Sequence, residues 1–393
     1  MEQERVDSPA TRRTSLALLI GTLVDHDSLS RSDLERLTQL SRVTVNQVLA
    51  SLTKCGIVEI AGYGKSNGGR RPELVRLAGT AAYTLGAAMY DREWIMTLTD
   101  LWGRPIAEER QPMNGITPTA AIDALEAAYE RMKPAMTGRR VPPLLGVGAP
   151  GLIDMNRGFI HSSVNLGWKD VAFADLITER IGLAAFVANR SKCSALAEAW
   201  LAPDGTVDNL IYIHLGLGVP AGIVLNGQLV TGNHSFAGEL GHFTVVPDGS
   251  PCPCGNRGCL QMHVSEDAIR HRATTMAYRD SPDHEELTAE WVLRAADDGD
   301  PVCRHVVCEA AGYLAVAVAN LVNLLDPDRI VLGGPMAEWS QLLIDETRRQ
   351  VAYRAMHLPL SVSRIERSSL GIDSGALGSA LMVRPKALEM IAS

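Results

Sequence analysis

Hydrophobic residues in the first eighty positions recur at spacings of three and four, which is the pattern of amphipathic helices. Ser30 and Ser41 precede the second and third apolar segments, where a side-chain oxygen can cap a helix N-terminus, and Gly56 can end the third helix. The apolar stripe comprises Leu16, Leu19, Ile20 and Leu23 in the first helix and Val45, Val48, Leu49 and Leu52 in the third. Three short helices are therefore predicted.

After the third helix, IVEIAGYGKSNGGRRPELVRL predicts two strands around a glycine-rich tip. Three helices followed by such a hairpin form a winged helix-turn-helix, in which the third helix enters the major groove of DNA. The candidate DNA-contacting residues are Arg42, Thr44, Asn46 and Gln47 on that helix and Lys65, Arg70 and Arg71 on the wing. Asn46 and Gln47 can contact base edges, while the arginines can contact phosphates. The alternative is a three-helix bundle used for protein contact.

From residue 81 the pattern changes to alternating strands and helices. Three strands, a helix and a further strand are predicted first, and this order then repeats with variation, which indicates two mixed α/β lobes. We expect a head domain at 1–80, a first lobe at 81–200 and a second lobe at 201–393, with the C-terminal helix returning to the first lobe. Ligands in folds of this kind bind between the lobes.

Charge is distributed unevenly along the 393 residues, whose net charge is −8. Residues 1–80 carry eleven Lys/Arg against nine Asp/Glu, whereas the remainder carries twenty-six against thirty-six. The basic residues concentrate around the wing, including Arg76. A small basic patch on an acidic protein predicts local contact with double-stranded DNA.

Composition indicates a globular protein, since 46% of the residues are hydrophobic and 21% are charged. The apolar run Ala315–Leu325 is too short to span a bilayer and contains Asn320 and Asn323. The polar start MEQERVDSPATRR lacks a secretory pattern. We therefore expect a cytoplasmic protein without a membrane partner.

Three of the seven cysteines lie within eight residues, ten positions after a histidine. His242, Cys252, Cys254 and Cys259 offer one imidazole and three thiolates, a set suited to a tetrahedral structural zinc with no position left for water. Disulfides and free buried thiols are the competing interpretations, of which disulfides are disfavoured in a cytoplasmic chain. The other four cysteines, in helical contexts, are predicted core residues.

Several stretches together resemble the ROK family of repressors, open reading frames and sugar kinases, in its regulator form. They are SRVTVNQVLASL and GKSNGGRRPELVRL in the head, then GVGAPGLID, NLGW, AGELGH, CPCGNRGCL, NLLDPDRIVLGG and LGIDSGALGSAL. The resemblance implies an actin-like, two-lobed sugar-kinase fold behind a winged helix-turn-helix. It also implies a regulator that binds a sugar between the lobes and releases operator DNA, and it places zinc on the same four residues.

Positions that the kinases of this family need are altered. Arg190 follows Asn189 where the kinases have the aspartate that acts as base, and Pro220 removes an N–H from a phosphate-binding turn. The further departures are Ala88, Met89 and Tyr90 in the first phosphate turn, Leu217 in the second and Pro335 in the adenosine-side turn. We therefore expect no phosphoryl transfer, with an ATP-dependent sugar kinase as the alternative.

The family's sugar-binding positions correspond here to Asn165, Asn189, Arg190, Glu239, His242 and Gln261. Two carboxylates of the family have become Arg190 and Gln261, so the site changes from accepting toward donating hydrogen bonds. Three hypotheses follow. The pocket binds an anionic sugar phosphate or sugar acid through Arg190, or Arg190 pairs with Glu239 and no sugar binds, or a neutral sugar binds weakly.

The sequence does not show an oligomerisation surface. Helix-turn-helix proteins usually match two half-sites of an operator with two protomers. We therefore expect a homodimer or homotetramer on an inverted repeat.

Overall fold

The computed structural model describes residues 9–24, 26–65, 71–90, 92–202, 207–276 and 287–392. Contacts divide the chain into two compact units. The first comprises 1–147, 172–187 and 379–393, and the second comprises 148–171 and 188–378. The domain boundaries at residues 80 and 200 stay predictions.

The head of the first unit contains three helices and a small sheet. The helices are α1 (Pro9–Val24), α2 (Arg31–Thr38) and α3 (Arg42–Lys54). The strands β1 (Leu29–Ser30), β2 (Val58–Tyr63) and β3 (Glu73–Leu77) form an antiparallel sheet in the order β1-β3-β2. Ser30 caps α2 in a capping box with Asp33, and Ser41 caps α3 by accepting from Thr44 N, so both predicted caps are confirmed.

The rest of the first unit is a five-stranded sheet in the order β11-β7-β4-β5-β6, with two helices. Its elements are β4 (Tyr83–Tyr90), β5 (Glu93–Asp100), β6 (Pro105–Pro112), α4 (Pro118–Met136), β7 (Leu144–Ala149), α5 (Phe173–Ile181) and β11 (Ala184–Asn189). All but the first residue of β4 and of β5 are buried, whereas β6 alternates between exposed and partly buried positions. Such alternation is typical of an antiparallel strand with one face toward solvent, and β6 lies at the edge of the sheet.

The second unit begins with the antiparallel sheet β10-β9-β8, made of β8 (Leu152–Asp154), β9 (Phe159–Ser163) and β10 (Trp168–Val171). Its main sheet has the order β14-β13-β12-β15-β16 and comprises β12 (Leu210–His214), β13 (Ala221–Leu225), β14 (Gln228–Leu229), β15 (Arg329–Gly333) and β16 (Arg364–Arg367). β12 pairs parallel with β15 and antiparallel with β13. The predicted mixed α/β architecture is confirmed.

Eight helices of the described residues accompany these strands. They are α6 (Arg190–Trp200), α7 (Gln261–Val264), α8 (Glu266–Met276), α9 (Ala289–Asp297), α10 (Pro301–Leu325), α11 (Pro335–Trp339), α12 (Gln341–Val351) and α13 (His357–Val362). Among the described residues, α10 has the length and apolar composition of a membrane span, but 56% of its most apolar window is buried. Its buried residues belong to the core cluster of the second unit. This burial is expected of a central core helix.

The last helix, α14 (Ser374–Ala392), begins in the second unit and ends in the first. Near its end, Leu388 is buried in the same hydrophobic cluster as the core of the head. Within the first unit, Arg140 donates through Nη1 to the Cys55 carbonyl (3.2 Å) and through Nη2 to the Ile391 carbonyl (3.3 Å). The head therefore packs on the C-terminal turns of α14.

Candidate functional site

Asn189 links the start of α6 to a glycine turn. Its side-chain Oδ1 accepts from Ser191 N at 2.9 Å and so caps the helix, while its Nδ2 donates to the Gly151 carbonyl at 3.0 Å. Gly151 has φ of +122°, and a Cβ there would lie 2.4 Å from the Ser162 carbonyl oxygen, so only glycine fits. Asn189 therefore holds the Pro150–Gly151 turn in place beside α6.

Arg190, which the family resemblance places at the kinase base position, contacts a histidine on β12. Its Nη2 lies 2.8 Å from Nε2 of His214, which is 4% exposed. Burial, together with the positive charge of Arg190, lowers the pKa of His214 well below its usual value. The imidazole is therefore neutral at pH 7, and Nε2 accepts the hydrogen bond from the guanidinium.

The His214 ring also lies between two glycine turns. A Cβ on Gly216 would lie 2.8 Å from His214 Nε2, and a Cβ on Gly334 would lie 2.7 Å from ring atoms Cε1 and Nδ1. The family resemblance predicts that these are the phosphate-side and adenosine-side turns. The imidazole therefore fills the space between them in the second unit.

Lys192, one helical turn into α6, was missed by the sequence predictions. It is only 2% exposed, and its Nζ donates to the Ser235 carbonyl. Burial lowers the pKa of Lys192 and raises the pKa of Glu239, while the attraction between the two charges opposes both shifts. The sequence did contain a signal for this residue: a lysine among the small residues of a capped helix, two positions after Arg190.

This arrangement differs from the hypothesis that Arg190 is the cation paired with Glu239. Lys192 supplies the positive charge that opposes the raised pKa of Glu239, whereas Arg190 directs Nη2 to His214. The reason is geometric, because residues two apart on a helix point about 200° apart around its axis. Lys192 and Arg190 consequently reach different neighbours.

The other predicted sugar ligands lie in the same unit with different surroundings. Asn165 is exposed, and its Nδ2 lies 4.0 Å from where a Cβ on Gly218 would stand. Gln261 donates through Nε2 to Cys252 Sγ at 3.4 Å, and its Oε1 lies 3.2 Å from a Cβ position on Gly241. Gln261 thus borders the cysteine cluster as well as the loop that carries Glu239.

His242, Cys252, Cys254 and Cys259 form a cluster that could hold a metal ion, with ligand atoms all within 4.8 Å of one another. The Cys252 Sγ–His242 Nδ1 distance is 3.7 Å, and the Cys254 Sγ–Cys259 Sγ distance is 3.8 Å. Tetrahedral zinc, with bonds of about 2.3 Å to sulfur and about 2.0 Å to nitrogen, separates neighbouring ligand atoms by about 3.5–3.8 Å. These two distances therefore match edges of a zinc tetrahedron.

The electrostatics of the cluster also favour a cation. Burial and the neighbouring thiols raise the pKa of Cys259 to about 12, and burial lowers the pKa of His242. Ionising Cys259 is therefore costly without a nearby positive charge, whereas a bound divalent cation would favour the thiolate. The imidazole of His242 is already biased to the neutral form that binds metals.

Glycines shape the loop that carries the cysteines. Cys252 N donates to the Asn256 carbonyl at 2.8 Å, which closes a tight turn around Gly255 at φ +93°. At Gly258, φ is +66° and a Cβ would lie 1.7 Å from the Val246 carbonyl oxygen. The loop conformation thus depends on glycine, which brings the cysteines into reach of His242.

In the head, α3 presents a polar surface. Arg42 and Gln47 are exposed, and Thr44 and Asn46 are partly exposed, although the Thr44 hydroxyl also lies 2.9 Å from Ser41 Oγ at the cap. On the wing, Lys65 and Arg71 are exposed, while Arg70 lies outside the described residues. Arg76, by contrast, is paired with Glu59 at 2.7 Å.

Comparison with known proteins gives the following similarities. The ROK family profile matches residues 93–386. The chain is 30% identical over 375 residues to the xylose repressor of Caldicellulosiruptor bescii, covering 93% of this chain and 94% of that protein. It is 33% identical over 300 residues to the glucokinase of Halalkalibacterium halodurans, covering 73% of this chain and 88% of that one.

Among solved structures, the chain resembles a ROK family transcriptional regulator described as a homolog of the Escherichia coli MLC protein. The TM-score is 0.79 at 25% identity, with 97% of this chain and 98% of the other covered. The similarity to that regulator includes the head as well as the two α/β parts of the chain.

Proposed function

The chain belongs to the ROK family, and from this premise we propose that it is a DNA-binding transcriptional repressor of carbohydrate-metabolism genes that responds to a sugar-derived effector. The observation that carries the proposal is the extent of its similarity to the xylose repressor, which spans 93% of this chain. A match of this length must include part of the helix-turn-helix head.

The head supports DNA binding through its geometry. Ser30 caps the start of α2 and Ser41 caps the start of α3. On α3, Arg42 and Gln47 are exposed. A helix presented in this way enters the major groove, while basic side chains on a wing contact phosphate. A homodimer or homotetramer would bind an inverted repeat, in the cytoplasm.

A gel shift with the promoter adjoining the protein's own gene tests DNA binding. Replacing Lys65 and Arg71 together by Ala should weaken binding to every sequence and reduce the salt slope by roughly two units, about 0.9 for each phosphate contact. Lys169→Ala, an exposed change on β10, is the matched control and should leave the slope unchanged. An unchanged slope in the double variant would remove the wing from the interface.

A sugar kinase is the second candidate, because the similarity to the glucokinase covers 73% of the chain. The arrangement of the site argues against it. Arg190 cannot act as a general base, and His214 lies against both glycine turns in the space between them. The protein should therefore show no ATP-dependent phosphorylation of glucose, fructose, xylose or N-acetylglucosamine above a no-protein control. Turnover that Glu239→Gln abolishes would establish the kinase instead.

Zinc is the metal that the four-residue cluster fits best. Its donors are three thiolates and one imidazole, and they leave no open position for substrate. When bound, zinc would supply structural stabilisation rather than catalysis. His242 connects the metal to the loop of Glu239, three residues earlier, so metal loss should disturb effector response as well as folding.

Elemental analysis of protein purified without chelators tests the metal. We expect about one zinc per chain, and we expect Cys254→Ser to lose the zinc and to lower the melting temperature. Cys308→Ser, outside the cluster, is the control and should keep the metal. A zinc-free wild-type protein with unchanged stability on adding zinc would contradict the assignment.

The effector is a neutral sugar in this proposal. The partly exposed Glu239 offers an acceptor to hydroxyl groups, the buried Lys192 offsets its charge from α6, and Asn189 caps that same helix. Calorimetric titration with paired neutral and phosphorylated sugars tests the charge preference. Binding of only the phosphorylated member, lost in Arg190→Ala, would establish the anionic alternative.

A further inference from the structure

A cleft of about 360 Å³ lies in the second unit, and none of its lining residues belongs to the cysteine cluster. One wall comes from the β8–β9 hairpin and the other from the loop that follows β14. The lining residues are Leu152, Asp154, Asn156, His161, Asn233, His234 and Phe236. Its volume is at the lower end of the range for small-molecule sites, about 300–1,000 Å³.

The chemistry of this cleft suits a neutral polyhydroxyl ligand. His161 packs edge-on against the Phe236 ring with centroids 5.5 Å apart, and His234 lies 6.1 Å from the same ring. Two amides and one carboxylate complete the polar lining, and none of the described lining residues is Lys or Arg. Mixed donors and acceptors beside an aromatic ring fit hydroxyl groups and the apolar face of a sugar.

Both walls of the cleft are attached to residues of the proposed effector site. Leu152 directly follows Gly151, whose carbonyl accepts from Asn189. Phe236 directly follows Ser235, whose carbonyl accepts from Lys192. Ser235 is buried and has φ of +65°, an unusual conformation for a non-glycine residue, so the Lys192 contact holds a strained loop. The two sites are therefore contiguous along the chain and through hydrogen bonds.

We propose that this cleft is an outer carbohydrate subsite, so that the effector contains at least two sugar residues. The first residue binds near Glu239 and Lys192, and the second packs on Phe236 and hydrogen-bonds the amides and imidazoles. This inference rests on the proposed function, since it assigns the effector of that same regulator.

Isothermal calorimetry of the full-length protein compares three pairs of sugars: xylose with xylobiose, glucose with cellobiose, and N-acetylglucosamine with its β-1,4-linked dimer. At least one disaccharide should bind about tenfold or more tightly than its monosaccharide, as one to two additional net hydrogen bonds would provide. Phe236→Ala and the milder His161→Gln should remove that gain while leaving monosaccharide affinity within about twofold. Tyr353→Ala, which removes an exposed aromatic ring elsewhere in the unit, is the control.

Three outcomes overturn the subsite: no sugar binds, no disaccharide is preferred, or Phe236→Ala and His161→Gln weaken both members of a pair equally. Melting temperatures of all variants identify any that fail to fold. A parallel gel shift separates this inference from the function beneath it. A protein that binds its operator but has no disaccharide preference loses only the subsite, whereas a protein that binds no operator loses the proposed function.

Discussion

Replacing Lys192 by Met tests the electrostatic attraction between this buried cation and Glu239. Lys192 is 2% exposed and donates to the Ser235 carbonyl. Met has similar length and no charge, so the change removes the cation without opening a large cavity. It leaves the Glu239 carboxylate and the Ser235 carbonyl without this partner.

The expected cost follows from the burial of the two groups. Removing one member of a fully buried ion pair costs about 3–5 kcal/mol, because the other charge stays desolvated. Lys192 and Glu239 attract each other without a salt-bridge contact and Glu239 is only partly buried, so we expect a cost of about 2–3 kcal/mol, which includes the Ser235 carbonyl left without its donor. For a unit of this size, that corresponds to a fall in melting temperature of roughly 5–10 °C.

Thermal unfolding of four proteins measures the effect: wild type, Lys192→Met, Glu239→Gln and the double variant. The double variant should recover at least half of the loss of Lys192→Met, because it no longer buries an unpaired carboxylate. Circular dichroism and zinc content, measured alongside, separate loss of the pair from loss of the metal.

The pH dependence provides a second readout. Burial raises the folded pKa of Glu239, so its contribution to stability is present below the unfolded pKa and is lost as pH rises through the folded pKa. Removing Lys192 raises the folded pKa further. The cost of Lys192→Met should therefore grow as pH rises above the pKa of an unfolded glutamate, about 4.3. A cost below 0.5 kcal/mol, or one independent of pH and not reduced by Glu239→Gln, would refute this reasoning.

Three further changes have defined outcomes. His214→Gln keeps an acceptor for Arg190 but removes the titrating imidazole. Because the folded pKa of His214 is depressed, the wild type should lose stability more steeply than the variant below about pH 6.5. Paired thermal melts should show a difference of up to about 1.4 kcal/mol per pH unit. Gly258→Ala forces a Cβ against the Val246 carbonyl, so zinc content and melting temperature should both fall, and an unchanged metal content would contradict the loop geometry. Ser30→Ala removes the cap of α2, so it should lower the stability of the head by about 1 kcal/mol and weaken operator binding. The control Ser361→Ala, in a surface helix of the second unit, should change neither quantity.

Local features of the chain were predictable where one segment determines them. Ser30 and Ser41 cap helices because a serine oxygen reaches backbone N–H groups two or three residues ahead, and this needs no distant partner. The cysteine cluster was predictable for a similar reason, since its three cysteines lie within eight residues and the required turns are marked by glycine. The strand and helix order behind the head also followed from periodicity.

The arrangement of charges in the site was not predictable in the same way. Arg190 and Lys192 are two residues apart on one helix, and both could have been assigned to Glu239 from the sequence. Their different directions depend on where β12 places His214 and where the loop after β14 places Ser235. Those partners are twenty-four and forty-three residues away in the chain.

The sequence by itself therefore determined the helices of the head, the His/Cys cluster and the Asn189–Arg190 pair at the start of α6, because each depends on residue type within a short segment. Only the tertiary structure decided that His214 fills the space between Gly216 and Gly334, that Lys192 binds the Ser235 carbonyl, and that Gly151 and Ser235 join the walls of a cleft to α6. The physical reason is that hydrogen bonds and desolvation act over a few ångströms in space. Sequence separation carries little information about such distances once the chain has folded.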